Sequence, residues 1–276
     1  MKKIYFQGTF GAYSHLAALE IYPNADVVPC KTFDECFLRA SSDNDSQIII
    51  PEANRITGNI GIEYLIFKYR LNIYREHFQK IEHNLLGHSN SSLSDIKDVF
   101  SHTQGLSQCS NFIKQNNLIE HVRADTAGSA EAISKNNIKS EGAIASSLSA
   151  KIYKLKILSS KIENEEVNVT RFLIMGKEVL QPDFEGKKYI TSFLFKLKSK
   201  PAALYQSLSG FAINGVNLTK LQSYPEQNSF KSYFFLCDLD GHIEDPKVQK
   251  SLEELGLHCQ DFHVLGVFEA DKFREK

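Results

Sequence analysis

Short apolar runs alternate with segments of helical spacing along residues 3–175. Strands are predicted at 3–6, 27–28, 47–50, 99–100, 122–123 and 143–145, and helices at 14–21, 32–40, 59–69, 105–115, 127–135 and 146–153. Residues 71–86 alternate as strands do, and 157–163 and 171–175 are predicted strands that return to the first half. Such an order is typical of a mostly parallel α/β sheet, or of two small ones. Because the chain leaves one group of strands and later returns to it, we expect two lobes with a cleft between them.

A second, smaller pattern follows a polar linker at 176–188. The linker contains Pro182 and Gly186, residues that are common in connections between elements. The elements predicted beyond it are a strand at 190–197, a helix at 201–214, a hairpin of 217–224 with 230–239, a helix at 246–255 and a strand at 258–268. This β-α-β-β-α-β order is that of the ferredoxin-like fold.

The composition excludes several classes of protein. At 276 residues, 42% of them hydrophobic, the chain is long enough for one large domain or two modest ones. A net charge of −1 gives no general attraction to nucleic acid or to an anionic membrane. The five scattered cysteines are typical of a reducing compartment, and Gln7 and Gly8 interrupt the apolar run of any signal peptide. No run approaches the roughly 20 apolar residues of a membrane helix, so we expect a cytoplasmic protein.

Four predicted strand-to-helix junctions carry small or hydroxyl residues. They lie at 8–14, 101–104, 125–128 and 146–147. A single junction of this kind is ordinary helix capping. Helix N-termini also present free N–H groups and partial positive charge, which suit a carboxylate, and open α/β sheets bind ligands at this end of their strands. The four junctions together predict a cleft for a small anion.

Two other patterns are poor candidates for cofactor sites. The glycine loop at 8–11 lacks the third glycine and the later acidic residue of a dinucleotide-binding loop. His77, His83 and His88 lie on an alternating strand without metal-ligand spacing, so we expect them at the surface or in hydrogen bonds. We therefore expect no metal and no organic cofactor.

The junctions occur in an order that resembles the prephenate dehydratases, which form phenylpyruvate on the route to phenylalanine. The segments that carry the resemblance are Gly8–Ser14, Pro51–Gly58, Ser101–Cys109, Asp125–Ala130 and Thr170–Phe172, and then Pro201–Leu204, Gly215–Thr219 and Gly241–Pro246. The resemblance implies a two-lobed, periplasmic-binding-protein-like catalytic domain at 1–177 and a ferredoxin-like ACT regulatory domain at 189–276. It looks like the monofunctional bacterial type, because the dehydratase-like segment begins at residue 3 and leaves no room for a fused chorismate mutase.

The resemblance also implies roles for individual residues. Prephenate has two carboxylates and a ring hydroxyl, and the reaction expels hydroxide and carbon dioxide together. Arg171 would clamp a carboxylate through its planar fork, Thr170 would donate a hydrogen bond to the leaving oxygen, and Phe172 would form an apolar wall. The remaining polar contacts to substrate would come from Ser14, Asn54, Ser101, Gln108 and Thr126.

One segment departs from the family pattern. Where the family has Glu-Asn-Ser, this chain has Ala53, Asn54 and Arg55, and a glutamate stands one place earlier at Glu52. We expect Glu52 and Arg55 to form a local pair that keeps Asn54 pointed into the cleft. The alternative is a loop that has drifted at the rim of the cleft.

The ACT-like half implies a second ligand, L-phenylalanine. The residues expected around it are Ala202, Ala203, Leu204, Asn214, Asn217, Leu218, Gln222 and Ser223. A four-stranded sheet with helices on one face would leave an open edge and a bare face. Pairing with another subunit would cover both, so we expect a homodimer or a homotetramer.

Two other functions stay open on the sequence. The same chemistry could act on arogenate, in which an amine replaces the keto group of the side chain. A solute-binding or amino-acid-sensing protein could use the same two-lobed scaffold without catalysis. Ala53 and Arg55 favour the second alternative, whereas the intact Thr170 and Arg171 oppose it.

Overall fold

The computed structural model describes residues 2–226 and 232–275. The chain forms two compact units, each assembled from three segments of the chain. The first unit comprises Met1–Arg39, Asp45–Ile60 and Phe78–Phe172, and the second comprises Ala40–Asn44, Gly61–His77 and Leu173–Lys276. The predicted domain boundary at 177–189 divides the chain at a single place. The structure instead groups the earlier segment Gly61–His77 with the C-terminal half. No helix in the described ranges is long and apolar enough to span a membrane.

The first sheet has the strand order β2-β1-β3-β11-β5, with β4 paired to β3. Its elements and connections are β1 (Lys3–Gln7), α1 (Tyr13–Ile21), β2 (Asp26–Cys30), α2 (Phe33–Ser42), β3 (Ser46–Asn54), β4 (Gly58–Asn59), α3 (Glu63–Tyr69), β5 (Asn72–Lys80) and β11 (Val169–Gly176). Strands β1, β2 and β3 are parallel. Ile48, Ile49 and Ile50 are fully buried, as expected for a central strand covered on both faces.

The second sheet has the order β10-β6-β9-β7-β8. Its elements are β6 (Asn84–Gly87), β7 (Asp98–Ser101), α4 (Thr103–Gln108), α5 (Ser110–Gln115), β8 (Ile119–Val122), α6 (Thr126–Asn136), β9 (Glu141–Ala145), α7 (Ser147–Ile152) and β10 (Lys156–Ser160). The helix predicted at 105–115 is two helices, because Cys109 leaves the helical conformation at φ −115° and ψ 15°. The alternating stretch 71–86 is likewise two strands, β5 in the first sheet and β6 in the second.

The C-terminal region has the predicted β-α-β-β-α-β order. Its elements are β12 (Tyr189–Leu197), α8 (Ala203–Asn214), β13 (Leu218–Pro225), β14 (Tyr233–Asp240), α9 (Pro246–His258) and β15 (Cys259–Glu269). The sheet is antiparallel, in the order β13-β14-β12-β15. Phe193, Phe211 and Leu255 belong to the core between this sheet and its two helices. The predicted start of β14 at residue 230 lies outside the described residues.

The other face of this sheet is covered by the same chain. The Phe67 ring of α3 lies 3.6 Å from that of Phe234, centroid to centroid. Gln222 Nε2 donates to Glu63 Oε1 at 3.2 Å, and Arg70 pairs with Asp261. Among the described residues, side chains of α3 therefore lie against this face, so the expectation of a bare face is wrong. The open sheet edges remain the basis of the predicted oligomer.

Candidate active site

A cavity of about 460 Å³ lies within the first unit. It is lined by strand residues of the first sheet and by loop and helix residues that flank strands of the second. The predicted site residues that line it are Ser14, Asn54, Gln108, Thr126, Thr170 and Phe172. Ser14 lies in the first turn of α1 and Thr126 in that of α6, so these two predicted junctions meet at the cavity. Thr170 and Phe172 share one face of β11, since side chains alternate along a strand.

Ser101 is predicted as a substrate contact, but it is not among the residues that line the cavity. Its side chain is fully buried and its hydroxyl donates to the Ile144 carbonyl oxygen at 2.7 Å. A Cβ built on Gly105 would lie only 2.7 Å from Ser101 Oγ, so Ser101 packs directly against α4. The serine therefore supports the junction, and its contact with substrate stays a prediction.

Arg171 is also not among the residues that line this cavity, and its role as a carboxylate clamp stays a prediction. The residue follows Thr170 along β11 and therefore points to the opposite face of the strand. Its Nη1 lies 3.2 Å from Glu52 Oε2, and the two side chains are 9% and 2% exposed. The guanidinium neutralises a buried carboxylate of the protein itself.

The predicted pair between Glu52 and Arg55 is wrong, because Glu52 pairs with Arg171 instead. Glu52 is buried and bonded to Arg171, whereas the Arg55 residue is exposed. The main chain at Arg55 is nevertheless fixed, because its N–H donates to the Val169 carbonyl oxygen at 2.9 Å. Asn54 is therefore held by other contacts.

Two backbone amides orient Asn54. Its Oδ1 accepts from the N–H groups of Ile56 at 2.9 Å and Thr57 at 3.1 Å. Its Nδ2 therefore faces β11, where it donates to Asn168 Oδ1 at 2.8 Å and Thr170 Oγ1 at 2.9 Å. Because Thr170 Oγ1 accepts this bond, its own hydrogen can be donated to a ligand in the cavity.

Hydrogen bonds continue from Asn168 across the cavity wall. Asn168 Nδ2 donates to Gln108 Oε1 at 2.9 Å, and the same oxygen lies 2.8 Å from His83 Nε2. His83 Nδ1 lies 2.9 Å from the Tyr13 hydroxyl. Burial lowers the pKa of His83 and raises that of Tyr13 well above its usual value, so both side chains are neutral near pH 7.

Sequence reasoning missed three members of this network, Tyr13, His83 and Asn168. Tyr13 lies inside the glycine-loop segment, where an aromatic among small residues was an available signal. His83 was expected at the surface or in hydrogen bonds, and it is 2% exposed and hydrogen-bonded. Among the described residues, no group of three or more His, Cys, Asp or Glu side chains could hold a metal ion.

The charge around the cavity is unusual for an anion site. Among the described residues that line it there is no lysine or arginine, and Asp125 contributes a carboxylate. Asp125 Oδ1 is occupied as a helix cap, since it accepts from the Gly128 N–H. Helix α1 begins after Ala12 without a side-chain cap, so its first N–H groups remain available to an anion.

The fourth predicted junction, at 146–147, is hydrogen-bonded to the glycine loop at 8–11. Ser146 Oγ and Ser149 Oγ donate to the Gly11 carbonyl oxygen at 2.6 and 3.0 Å. Gly11 has a φ of +94°, and a Cβ there would lie 2.9 Å from Ser149 Cα. Only glycine therefore allows the loop to approach α7 this closely. This contact joins elements of the two sheets beside the cavity.

The predicted regulatory residues divide into two groups. Ala202, Ala203 and Leu204 line a cavity of about 620 Å³ in the second unit. The other five predicted residues are not among those that line this cavity: Asn214, Asn217, Leu218, Gln222 and Ser223. Asn214 Nδ2 donates to the Gly210 carbonyl oxygen, Asn217 Nδ2 donates to Asp240 Oδ2, and Gln222 donates to Glu63. Leu218 packs against the sheet–helix core, and Ser223 is exposed.

Similar proteins agree with this architecture. The family model described as "Prephenate dehydratase" matches residues 4–179. The bifunctional N-acyl-homoserine lactone acylase/prephenate dehydratase of Komagataeibacter europaeus is 35% identical over 99% of this chain and 98% of its own length. The arogenate dehydratase/prephenate dehydratase 1 of Arabidopsis thaliana is 35% identical over 99% of this chain and 73% of its own.

Solved structures of similar proteins extend over both units. The prephenate dehydratase of Arthrobacter aurescens in complex with L-Phe has a TM-score of 0.87 and 25% identity, covering 97% of this chain and 90% of that one. The prephenate dehydratase of Staphylococcus aureus has a TM-score of 0.81 and 26% identity, covering 98% and 100%. With a family model matching more than half of its length, the chain belongs to the prephenate dehydratase family, a family of lyases.

Proposed function

We propose that the cavity of the first unit converts prephenate to phenylpyruvate. The observation that carries the proposal is the Thr170 hydroxyl, which lines the cavity and accepts from Asn54 Nδ2 at 2.9 Å. This bond leaves the hydroxyl hydrogen for the ring oxygen of the substrate. Family membership and the predicted fold support the same assignment.

In the reaction, two bonds of the substrate break and the ring becomes aromatic. The bond from the ring to its carboxylate breaks, carbon dioxide leaves, and the electron pair enters the ring. At the same time the opposite carbon–oxygen bond breaks and releases hydroxide, which takes up a proton from solvent to become water. Thr170 assists by donating a hydrogen bond to this oxygen, and positioned groups of this kind contribute about 10²–10⁴-fold. Phe172 is 1% exposed and forms an apolar wall that disfavours a fully hydrated carboxylate.

Neutral donors hold the two carboxylates of the substrate. The free N–H groups of α1, the hydroxyls of Ser14 and Thr126 and the amide of Gln108 all belong to the cavity wall. Helix N-termini and amide groups bind anions through partial charges. Arg171 contributes indirectly, because its pairing with Glu52 supports β11 beneath Thr170.

The test is a spectroscopic assay of the purified protein with prephenate. Formation of phenylpyruvate, lost in Thr170→Ala, is the expected result. Arogenate is assayed in parallel, because the relatives include enzymes named for both substrates. Binding of either compound without turnover would instead support a sensing protein.

For the second unit we propose a regulatory role with L-phenylalanine as ligand. The support is the cavity beside Ala202, Ala203 and Leu204, together with the L-Phe complex of the Arthrobacter enzyme. Preferential binding to a less active state would lower turnover. Calorimetric titration with L-phenylalanine tests this, with Leu204→Glu as the blocked variant. No heat and no change in activity at millimolar ligand would contradict it.

Two further proposals concern the state of the protein in the cell. We propose a homo-oligomer, supported now only by the open edges of the C-terminal sheet, β13 and β15. We also propose a cytoplasmic location, because all five cysteines are free thiols, as expected in a reducing compartment. Light scattering of the purified protein and fractionation of cells are the respective tests.

A further inference from the structure

The hydrogen bonds around Gln108 have a fixed direction. Backbone N–H groups can only donate, so the two that face Asn54 require its Oδ1 on that side and its Nδ2 on the other. Asn54 Nδ2 then requires an acceptor from Asn168, which must present Oδ1. The Asn168 Nδ2 group in turn requires an acceptor from Gln108, which must present Oε1.

This direction determines the tautomer of His83. Its Nε2 lies 2.8 Å from Gln108 Oε1, an acceptor, so Nε2 must carry the hydrogen. The neutral ring then has an unprotonated Nδ1, which lies 2.9 Å from the Tyr13 hydroxyl oxygen. The single hydrogen of that hydroxyl has two acceptors within reach, Nδ1 and the Glu82 carbonyl oxygen at 2.9 Å. The Glu82 carbonyl also accepts from Asn84 Nδ2, so the hydroxyl hydrogen can be given to Nδ1. The ring is 2% exposed, and the backbone N–H of His83 donates to Glu163 Oε2 at 2.9 Å. The imidazole is therefore held on both sides.

The same direction determines what Gln108 presents to a ligand. Its Oε1 receives two hydrogen bonds, from Asn168 and from His83. Its Nε2, with two N–H donors, remains for the cavity that Gln108 lines. A reversed amide would place nitrogen against two donors and turn an oxygen toward the substrate anion, and both changes are unfavourable.

We propose that His83, as its Nε2–H tautomer, is a positioning residue that makes Gln108 present its amide N–H groups to a substrate carboxylate. The inference rests on the proposed dehydratase function, and it assigns no direct contact between His83 and the substrate. The Tyr13 hydroxyl lies against Nδ1 on the other side of the ring. By donating to Gln108 Oε1, the His83 ring thus leaves the Nε2 amide group of Gln108 facing the cavity.

A matched pair of substitutions tests the proposal. The amide of a glutamine reaches the position of imidazole Nε2, whereas that of an asparagine reaches only Nδ1. His83→Gln should therefore keep KM for prephenate within about twofold, and His83→Asn should raise it about tenfold or more, as expected for a lost hydrogen bond to a charged group. Equal KM values for the two variants, at equal Tm, would overturn the proposal.

A double-mutant cycle separates positioning from general support. If His83 acts through Gln108, then His83→Asn should leave kcat/KM unchanged once Gln108→Ala is present. A further loss of the same size as in the native background would overturn the proposal, because the two residues would then act independently.

The tautomer itself can be measured without any turnover. Nitrogen NMR of histidine-labelled protein distinguishes Nε2–H from Nδ1–H, and sequential assignment of the native protein identifies the His83 resonance among the nine histidines. A hydrogen on Nδ1 would overturn the proposal even if the variants fail to fold. The Nε2–H tautomer in a protein that does not act on prephenate would instead refute the dehydratase function and leave the hydrogen-bond assignment standing.

Discussion

At the scale of single residues, Thr170 and Arg171 are neighbours on β11 with different tasks. Thr170 lines the cavity, and we expect Thr170→Ala to lower kcat for prephenate at least tenfold, because the hydrogen bond to the leaving oxygen is lost. The Tm should stay within a few degrees of the native value. Thr170→Ser keeps the hydroxyl and should retain most of the activity. Near-native turnover by the alanine variant would remove Thr170 from the mechanism.

Arg171 should matter for stability. Arg171→Met leaves the Glu52 carboxylate buried without its cation, and breaking such pairs costs about 3–5 kcal/mol. The double variant Glu52→Gln with Arg171→Met should recover much of this loss. Urea denaturation measures both. A stable Arg171→Met protein with a greatly raised KM would instead support the predicted carboxylate clamp.

The sequence predicts which residues lie near the site better than it predicts the direction in which each side chain points. Motif order was enough to place Ser14, Asn54, Gln108, Thr126, Thr170 and Phe172 around one cavity. It could not show that Arg171 points away from that cavity, because the motif does not say which face of β11 is covered. Strand alternation alone predicts that Thr170 and Arg171 cannot both face the substrate.

At the scale of elements, the loop between β1 and α1 is sensitive to pH. His15 Nδ1 accepts from the Gly11 N–H at 3.0 Å, and burial lowers the pKa of His15. A histidine kept neutral in the folded state contributes stability that is complete above its unfolded pKa of about 6.5. As the pH falls below this value, the unfolded chain takes up the proton first and that stability is lost.

We therefore expect the free energy of unfolding to fall as the pH drops below about 6.5. His83 and His263, whose pKa values are also lowered by burial, add to the same slope. His15→Gln should reduce the slope because one of the three contributions is removed. Denaturant titrations at several pH values provide the measurement. An identical slope in the variant would show that His15 does not contribute.

Periodicity predicts elements better than it predicts their partners. Residues 71–86 alternate throughout, yet β5 and β6 enter different sheets. The break at 81–83 carries no proline or glycine and so gave no local signal. It is fixed by long-range contacts, such as the bond from the Ile81 N–H to the Asn168 carbonyl oxygen at 2.8 Å.

At the scale of the whole molecule, residues 61–77 belong to the C-terminal unit. A fragment ending at 177 would therefore expose the Phe67 side of α3 and leave Glu76 without Arg274, its partner at 2.6 and 2.8 Å. We expect this fragment to aggregate or to bind a hydrophobic dye, as measured by size-exclusion chromatography and fluorescence. Phe67→Glu should reduce dye binding by the fragment. A monomeric, dye-free fragment would show that the first domain folds independently.

The sequence could not show that residues 61–77 group with the C-terminal unit. Helix α3 has the same apolar spacing whether it packs on the first sheet or on the last, and its partners lie far along the chain. The clearest sign is structural: a Cβ at Gly266 on β15 would collide with the Ile73 carbonyl oxygen of β5. The two backbones approach so closely that no side chain fits between them.

Because the described lining of the active-site cavity includes no lysine or arginine, its attraction for a dianion is short-ranged. With a net charge of only −1, the protein as a whole neither draws prephenate in nor repels it strongly. We therefore expect the substrate to arrive by unsteered diffusion. Salt screens distant charges, as the Debye length falls from about 30 Å at 0.01 M to about 8 Å at 0.15 M. We expect kcat/KM to change less than about twofold over this range, whereas an enzyme that captures its substrate with cationic side chains would slow markedly.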